Sequence, residues 1–155
     1  MPTKLEYAYL AGIMDGEGTF GIYRSKDGRN HHLRCYVVNT DPKLITWLYD
    51  TFGGLVYSRK SKKNPHWKLK YEWVLCKGET VDLVELLLPY LIIKRDQAEL
   101  AIKFRTSFNN QYNRNNPLPL SVLSFRDKCY YGMKSLNNQP EQPPIPLASG
   151  CPRTC

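Results

Sequence analysis

The side chains best suited to chemistry in this 155-residue chain lie in one run near its start, KLEYAYLAGIMDGEGTFGIYR. Asp15 and Glu17 bracket Gly16 and precede Gly18, so two carboxylates stand beside backbone that carries no side chain. Ahead of them Ala8, Gly12 and Gly16 recur at every fourth position. Other chemistry is poorly supplied. None of the three histidines, His31, His32 and His66, pairs with cysteines at zinc-ligand spacing. The five cysteines, Cys35, Cys76, Cys129, Cys151 and Cys155, lack C-x-x-C spacing and read as reduced thiols of an intracellular protein.

Charge is distributed unevenly. Residues 18 to 77 hold twelve Lys/Arg against four Asp/Glu, while the remainder holds ten of each, so the whole formal excess of +8 belongs to one continuous segment. A localised excess points to a polyanionic partner, nucleic acid ahead of an anionic membrane surface or a merely solvated basic face. No run approaches the roughly 18 apolar residues that span a bilayer. The start shows no basic region followed by an uninterrupted apolar stretch, so a signal peptide is not expected.

The elements that must position these residues follow from periodicity. Residues 5–16 pattern as a helix that Gly18 breaks, and TFGIYR then alternates as a strand. KDGRN (26–30) is a turn, its Asp-Gly supplying a positive φ cheaply. In HLRCYVVN (32–39), Leu33, Cys35 and Val37 face one way and His32, Arg34, Tyr36 and Val38 the other. Asp41 and Pro42 start a second helix that Gly53-Gly54 closes. LVYSRK (55–60) reads as a third strand and WKLKYEWVLC (67–76) as a fourth, with Trp67, Leu69, Tyr71 and Trp73 on one face and Lys68, Lys70 and Glu72 on the other. Helical patterns occupy 79–88, 94–108 and roughly 120–136, before a proline-rich tail, 137–155, expected to be flexible. Residues 1–136 thus form one α+β domain in the order αββαββα, with a four-stranded, mostly antiparallel sheet and helices on one face. The other face would be basic and aromatic, suited to entering the major groove of DNA.

Small residues at i, i+4 and i+8 let two helix backbones approach closely. Tight packing of the helix on its own sheet is the alternative reading of that spacing. Leu10, Ile13 and Met14 supply a separate apolar set for the domain's own core. The helix therefore has a second face for short-range contact, and the same helix of a second subunit across a two-fold axis is its natural partner.

Leu10-Ala11-Gly12-Ile13-Met14-Asp15-Gly16-Glu17-Gly18 closely resembles the defining motif of the LAGLIDADG homing endonucleases. The order of strands and helices extends the resemblance to about residue 136, and a single motif in a short chain resembles the homodimeric branch. The resemblance implies a site-specific double-strand DNA endonuclease cutting a long, near-palindromic site. It implies that Glu17 of each subunit is a metal ligand beside the scissile phosphates, with the Gly16 carbonyl as a further ligand. Mg2+ suits such oxygen donors, with Mn2+ or Ca2+ as substitutes and Ca2+ supporting binding without cleavage. Glu stands where Asp is more common in the motif. Asp15 reads as a turn or capping carboxylate, and Ala8, Gly12, Asp15 and Gly16 as the dimer interface. Asn39 matches a position arranging water around the metals, Lys43 a basic position at the same solvent pocket, and Lys94 a lysine placed by the cleaved strand.

For DNA contact the outward set is Tyr23, Arg24, Arg29, His32, Arg34, Tyr36, Tyr57, Arg59, Lys68, Lys70 and Glu72, where Arg suits guanine and Glu suits cytosine N4. Lys26, Lys60, Lys62 and Lys63, on or near loops, suit phosphates. The expected partners are double-stranded DNA and a second copy of the chain, with no membrane and no small-molecule cofactor. An intron RNA maturase and a non-cleaving DNA-binding regulator remain alternatives on the same fold. An organellar and a bacterial or phage origin are equally open.

Overall fold

A computed structural model of the chain describes residues 1–60, 64, 66–76, 78–108 and 118–138. The first helix, α1 (Lys4–Gly16), is started by a capping box: Thr3 N–H donates to Glu6 Oε2 at 2.6 Å, and Glu6 N–H to Thr3 Oγ1 at 3.3 Å. Then come β1 (Gly18–Arg24), β2 (His31–Asn39), α2 (Pro42–Phe52), β3 (Leu55–Arg59) and β4 (Lys70–Cys76). Three helices follow, α3 (Gly78–Leu87), α4 (Arg95–Arg105) and α5 (Leu120–Asn137), with one 3-10 turn at Leu88–Tyr90 between the first two.

The sheet order is β1-β2-β4-β3, and all three pairings are antiparallel. Leu33, Cys35 and Val37 of β2 and Trp73 and Leu75 of β4 pack under the helices with Leu10, Met14, Ile45, Leu48 and Phe104. Burying each large apolar side chain contributes roughly 1.5–3 kcal/mol, so this single layer of contacts holds the sheet rigidly. Trp73 also ties α2 to the sheet, since its Nε1–H donates to Gly53 O at 2.7 Å. The turn it meets needs glycine: Gly54 has φ +93°, and a Cβ there would stand 2.7 Å from Val74 O.

Several boundaries differ from the sequence reading. The fourth strand begins at Lys70, so Lys68 precedes it and Trp67 and Leu69 are exposed rather than part of a buried face. β3 is exposed along its whole length, as befits a short edge strand. Arg24 shares the parity of Phe20 and Ile22 on β1, opposite buried His31, so it stands on the helix-covered side and not with the outward set. It ends against α5, where its Nε lies 3.1 Å from Asp127 Oδ1. α5 runs one residue past 136, and Asn137 Nδ2–H donates to Phe20 O at 2.9 Å. Lys62, Lys63, Cys151, Cys155 and the tail beyond residue 138 lie outside the described residues. No helix among those described is long and apolar enough to cross a membrane.

Candidate active site and nucleic-acid face

α1 delivers its last residues to the start of β1 without a connecting loop, so the motif's end is fixed by both elements. Gly18 makes that junction possible, because a Cβ there would lie 2.5 Å from Met14 Sδ and 2.6 Å from Met14 Cα. Two residues from distant sequence then lock it. The Asp15 carboxylate accepts three backbone N–H groups, from Ile92 at 2.8 Å, Ile93 at 3.2 Å and Lys94 at 2.9 Å. It is therefore a capping carboxylate, and what it caps is the turn into α4. The Lys94 ammonium donates to the carbonyls of Met14 (2.7 Å), Asp15 (3.1 Å) and Gly18 (2.5 Å). Three protons meet three carbonyls, two at the negative end of α1 and one at the start of β1. Burial pulls the Lys94 ammonium below its ordinary pKa, opposed by the nearby Asp15 and Glu17 charges. This geometry gives Lys94 a positioning role.

Gly16 and Glu17 are exposed at the rim of this braced junction. Among the described residues no group of three His, Cys, Asp or Glu side chains converges. One chain therefore presents Glu17 as a single hard-oxygen donor beside bare backbone. That donor set fits Mg2+, which is held by one or two carboxylates together with substrate phosphates and keeps several waters. Asn39 ends β2 and Lys43 lies in the first turn of α2, joined through Asp41: Asn39 Oδ1 accepts from Asp41 N–H at 2.8 Å, and Lys43 N–H donates to Asp41 Oδ1 at 2.9 Å. The Lys43 side chain is exposed.

The small-residue stripe is open. Gly12 and Gly16 are exposed, Ala8 is half-buried, and a Cβ at either glycine would meet nothing within 4 Å. Leu5 and Tyr9 lie along the same helix, 82% and 57% exposed, so the apolar content of α1 exceeds what its own core uses.

The sheet face away from the helices carries most of the outward set. Across β1, β2, β4 and β3 the register puts Tyr23 opposite His32, Gly21 opposite Arg34, Val38 opposite Glu72, and Glu72 opposite Tyr57. The Tyr23 ring lies over Gly21, within 2.7 Å of where a Cβ would be, and stacks on His32 at 5.6 Å. The Arg34 guanidinium sits 5.7 Å from the centre of the Tyr23 ring. Burial, with the Arg34 and His31 charges, pushes the His32 imidazole below its ordinary pKa. Burial and a hydrogen bond with Tyr36 raise Tyr23, keeping its phenol neutral. Arg59 Nη2 pairs with Glu72 Oε2 at 3.1 Å, and the Lys70 ammonium lies 5.6 Å from the Trp67 ring centre. Tyr23, Arg34, Tyr36, Arg59, Lys70 and Glu72 line a hollow of about 410 Å³. Lys26 and Arg29 between β1 and β2, Lys60 just after β3 and Lys68 just before β4 are exposed.

No family model matches the chain, and no curated protein matches it. Solved structures do. The homing endonuclease I-CvuI in complex with its target superposes with a TM-score of 0.67 at 21% identity, covering 92% of this chain and 88% of that one. The chain has the LAGLIDADG homing-endonuclease fold. The archaeal intron-encoded homing endonuclease I-Vdi141I, complexed with DNA, matches with a TM-score of 0.67 at 16% identity, over 89% of this chain and 87% of its own. The LAGLIDADG homing endonuclease I-GzeII matches with a TM-score of 0.66 at 22% identity over 88% of this chain, which fills only 45% of that longer protein. On this homing-endonuclease fold the motif residues run into the junction at the end of α1, and Tyr23, His32, Arg34, Tyr36, Tyr57, Arg59, Lys70 and Glu72 of the outward set lie on strands of one sheet, with Arg29 and Lys68 outside the strands. Sequence reasoning missed Asp127, whose Oδ1 lies 2.9 Å from His31 Nε2 as well as beside Arg24. An acid 96 residues from its partner leaves no local signal.

Proposed function

We propose that this protein is a site-specific double-strand DNA endonuclease of the homing type, acting as a homodimer with a divalent metal. One observation carries the reading: Glu17 is exposed at the end of an open small-residue stripe, on a junction braced by Asp15 and Lys94, beside a basic sheet face. That I-CvuI and I-Vdi141I are solved on DNA supports duplex DNA as substrate. Complexes of I-CvuI in the presence of Ca and of Mg, and of I-SmaMI with calcium ions on uncleaved DNA, support divalent metal use.

Two α1 helices meeting along Ala8, Gly12 and Gly16 would bring both Glu17 side chains to one centre, one for each strand. Glu17 and the Gly16 carbonyl would hold Mg2+, Mn2+ serving as well and Ca2+ supporting binding alone. The metal, when bound, lowers the pKa of water and neutralises charge on the departing 3′-oxygen. Lys94 and Asp15 hold the motif's backbone in place against the substrate. Asn39 and Lys43 order solvent at the margin. Arg34, Tyr23, His32, Arg59, Glu72, Lys70, Tyr36 and Tyr57 meet base edges, while Lys26, Arg29, Lys60 and Lys68 meet phosphates and set the salt dependence.

The test is a cleavage selection on a randomised duplex library with Mg2+. Enrichment of one near-palindromic site, cut on both strands, supports the reading. A protein that binds DNA or structured RNA without cutting, in Mg2+ or Mn2+, contradicts it and favours a regulator or a maturase.

A further inference from the structure

A cleft of about 670 Å³ lies beside the sheet face, between the edge strand β1, the start of α4 and the end of α5. Thr19 and Tyr23 line it from β1, Gln97 from α4, and Lys134, Asn137 and Asn138 from α5, with Ile93, Met133 and Leu136 between them, and among the described residues no carboxylate is in its walls. Lys94 closes the inner end with its ammonium turned to the α1 carbonyls, so Lys134, exposed in the last turn of α5, brings accessible positive charge. The walls are fixed, because the Asn137 amide fastens the end of α5 to the outer edge of β1 at Phe20 O. The cleft is also continuous with the site already described. Tyr23 and Tyr36 line both it and the hollow on the sheet face, and Gly18, next to Glu17, lines its inner end.

A cleft that sets three amides and one accessible cation among apolar side chains, with no acid among the described residues, matches a phosphodiester, whose oxygens take a point charge and neutral N–H donors while its sugar packs on apolar surface. We propose that this cleft is a second DNA-contacting site, seating the sugar–phosphate backbone beside the cut strand, with Lys134 as phosphate ligand and the amides of Gln97 and Asn138 as donors. It rests on the endonuclease reading and adds to it a contact on the helices, outside the sheet face. Duplex DNA is favoured over a free nucleotide because the cleft runs between two parts of one interface. A lysine in the last turn also complements its own helix dipole, so the test must read something that role does not move.

The experiment measures binding of the full-length Lys134→Gln variant to duplex DNA by anisotropy across a salt series, beside Lys128→Gln on another face of α5 and Arg34→Ala on the sheet. Lys134→Gln should weaken specific and non-specific duplexes alike. Its slope of log K against log salt should be shallower by about 0.9 for each cleft engaged, so one lost contact makes the affinity drop between 50 and 200 mM about 3.5-fold smaller. Lys128→Gln should match the unaltered protein. If Lys134→Gln keeps affinity and slope while Arg34→Ala weakens binding, the cleft proposal fails and the endonuclease reading stands. If the unaltered protein binds no duplex DNA, both fail. A loss by Lys134→Gln confined to structured RNA would also overturn the proposal.

Discussion

Lys94 and Asp15 clasp each other in both directions: the Lys94 backbone N–H donates to Asp15 Oδ1 at 2.9 Å, and the Lys94 ammonium donates to Asp15 O at 3.1 Å. The clasp joins the last turn of α1 to the first residue before α4 and so fixes where Glu17 stands.

Breaking either half should cost stability before it costs binding. Asp15→Asn turns one acceptor oxygen into a donor facing backbone N–H groups, and Lys94→Met strands three carbonyls. Each should lower the unfolding free energy by about 1–3 kcal/mol. Because both changes damage one network, the double variant should lose clearly less than the sum. Urea denaturation of the four proteins checks this, and strict additivity would remove the clasp from the account.

The two glycines of the motif region should respond with opposite signs. At Gly18 a methyl group meets Met14 at 2.5–2.6 Å, so Gly18→Ala should destabilise by about 1–3 kcal/mol. At Gly12 nothing lies within 4 Å, and a better helix former should add up to about 1 kcal/mol to the monomer. Gly12→Leu should therefore fold well yet sediment as a monomer where the unaltered chain sediments as a dimer. A dimeric Gly12→Leu variant would place the interface elsewhere.

Acidity should act through His32. Its folded pKa is lowered from the ordinary 6.5, first by burial and then by the Arg34 and His31 charges. Between that lowered value and 6.5 the unfolded chain binds a proton that the folded chain does not, so stability rises with pH through the window and falls on acidification. Denaturant midpoints from about pH 5 to 7.5 should show this slope, and His32→Phe should flatten part of it. An unchanged slope would free His32 from that role.

The local patterns were legible and the distant contacts were not. Alternation along β2 placed Leu33, Cys35 and Val37 inward, and the nine motif residues located the junction, because both signals repeat within a few positions. Arg24 was misplaced although strand parity from Phe20 assigns it to the covered side; its charge outweighed its phase. Trp67 and Leu69 continue an alternation that the strand itself does not, since the β3–β4 pairing among the described residues ends at Arg59 opposite Lys70. Asp15 and Lys94 were each singled out, yet their mutual contact spans 79 residues and follows from helix packing, which no local period encodes.

The central claim is that Glu17 supplies the metal-binding carboxylate of a DNA-cutting site. A plasmid carrying the selected site, incubated with unaltered protein and with Glu17→Gln in Mg2+ and in Ca2+, tests it most directly. The account predicts linear product from the unaltered protein in Mg2+ and intact plasmid in Ca2+. For Glu17→Gln it predicts no product in either, with unfolding midpoint retained and binding still specific for the site. Cutting by Glu17→Gln at the unaltered rate would contradict the account.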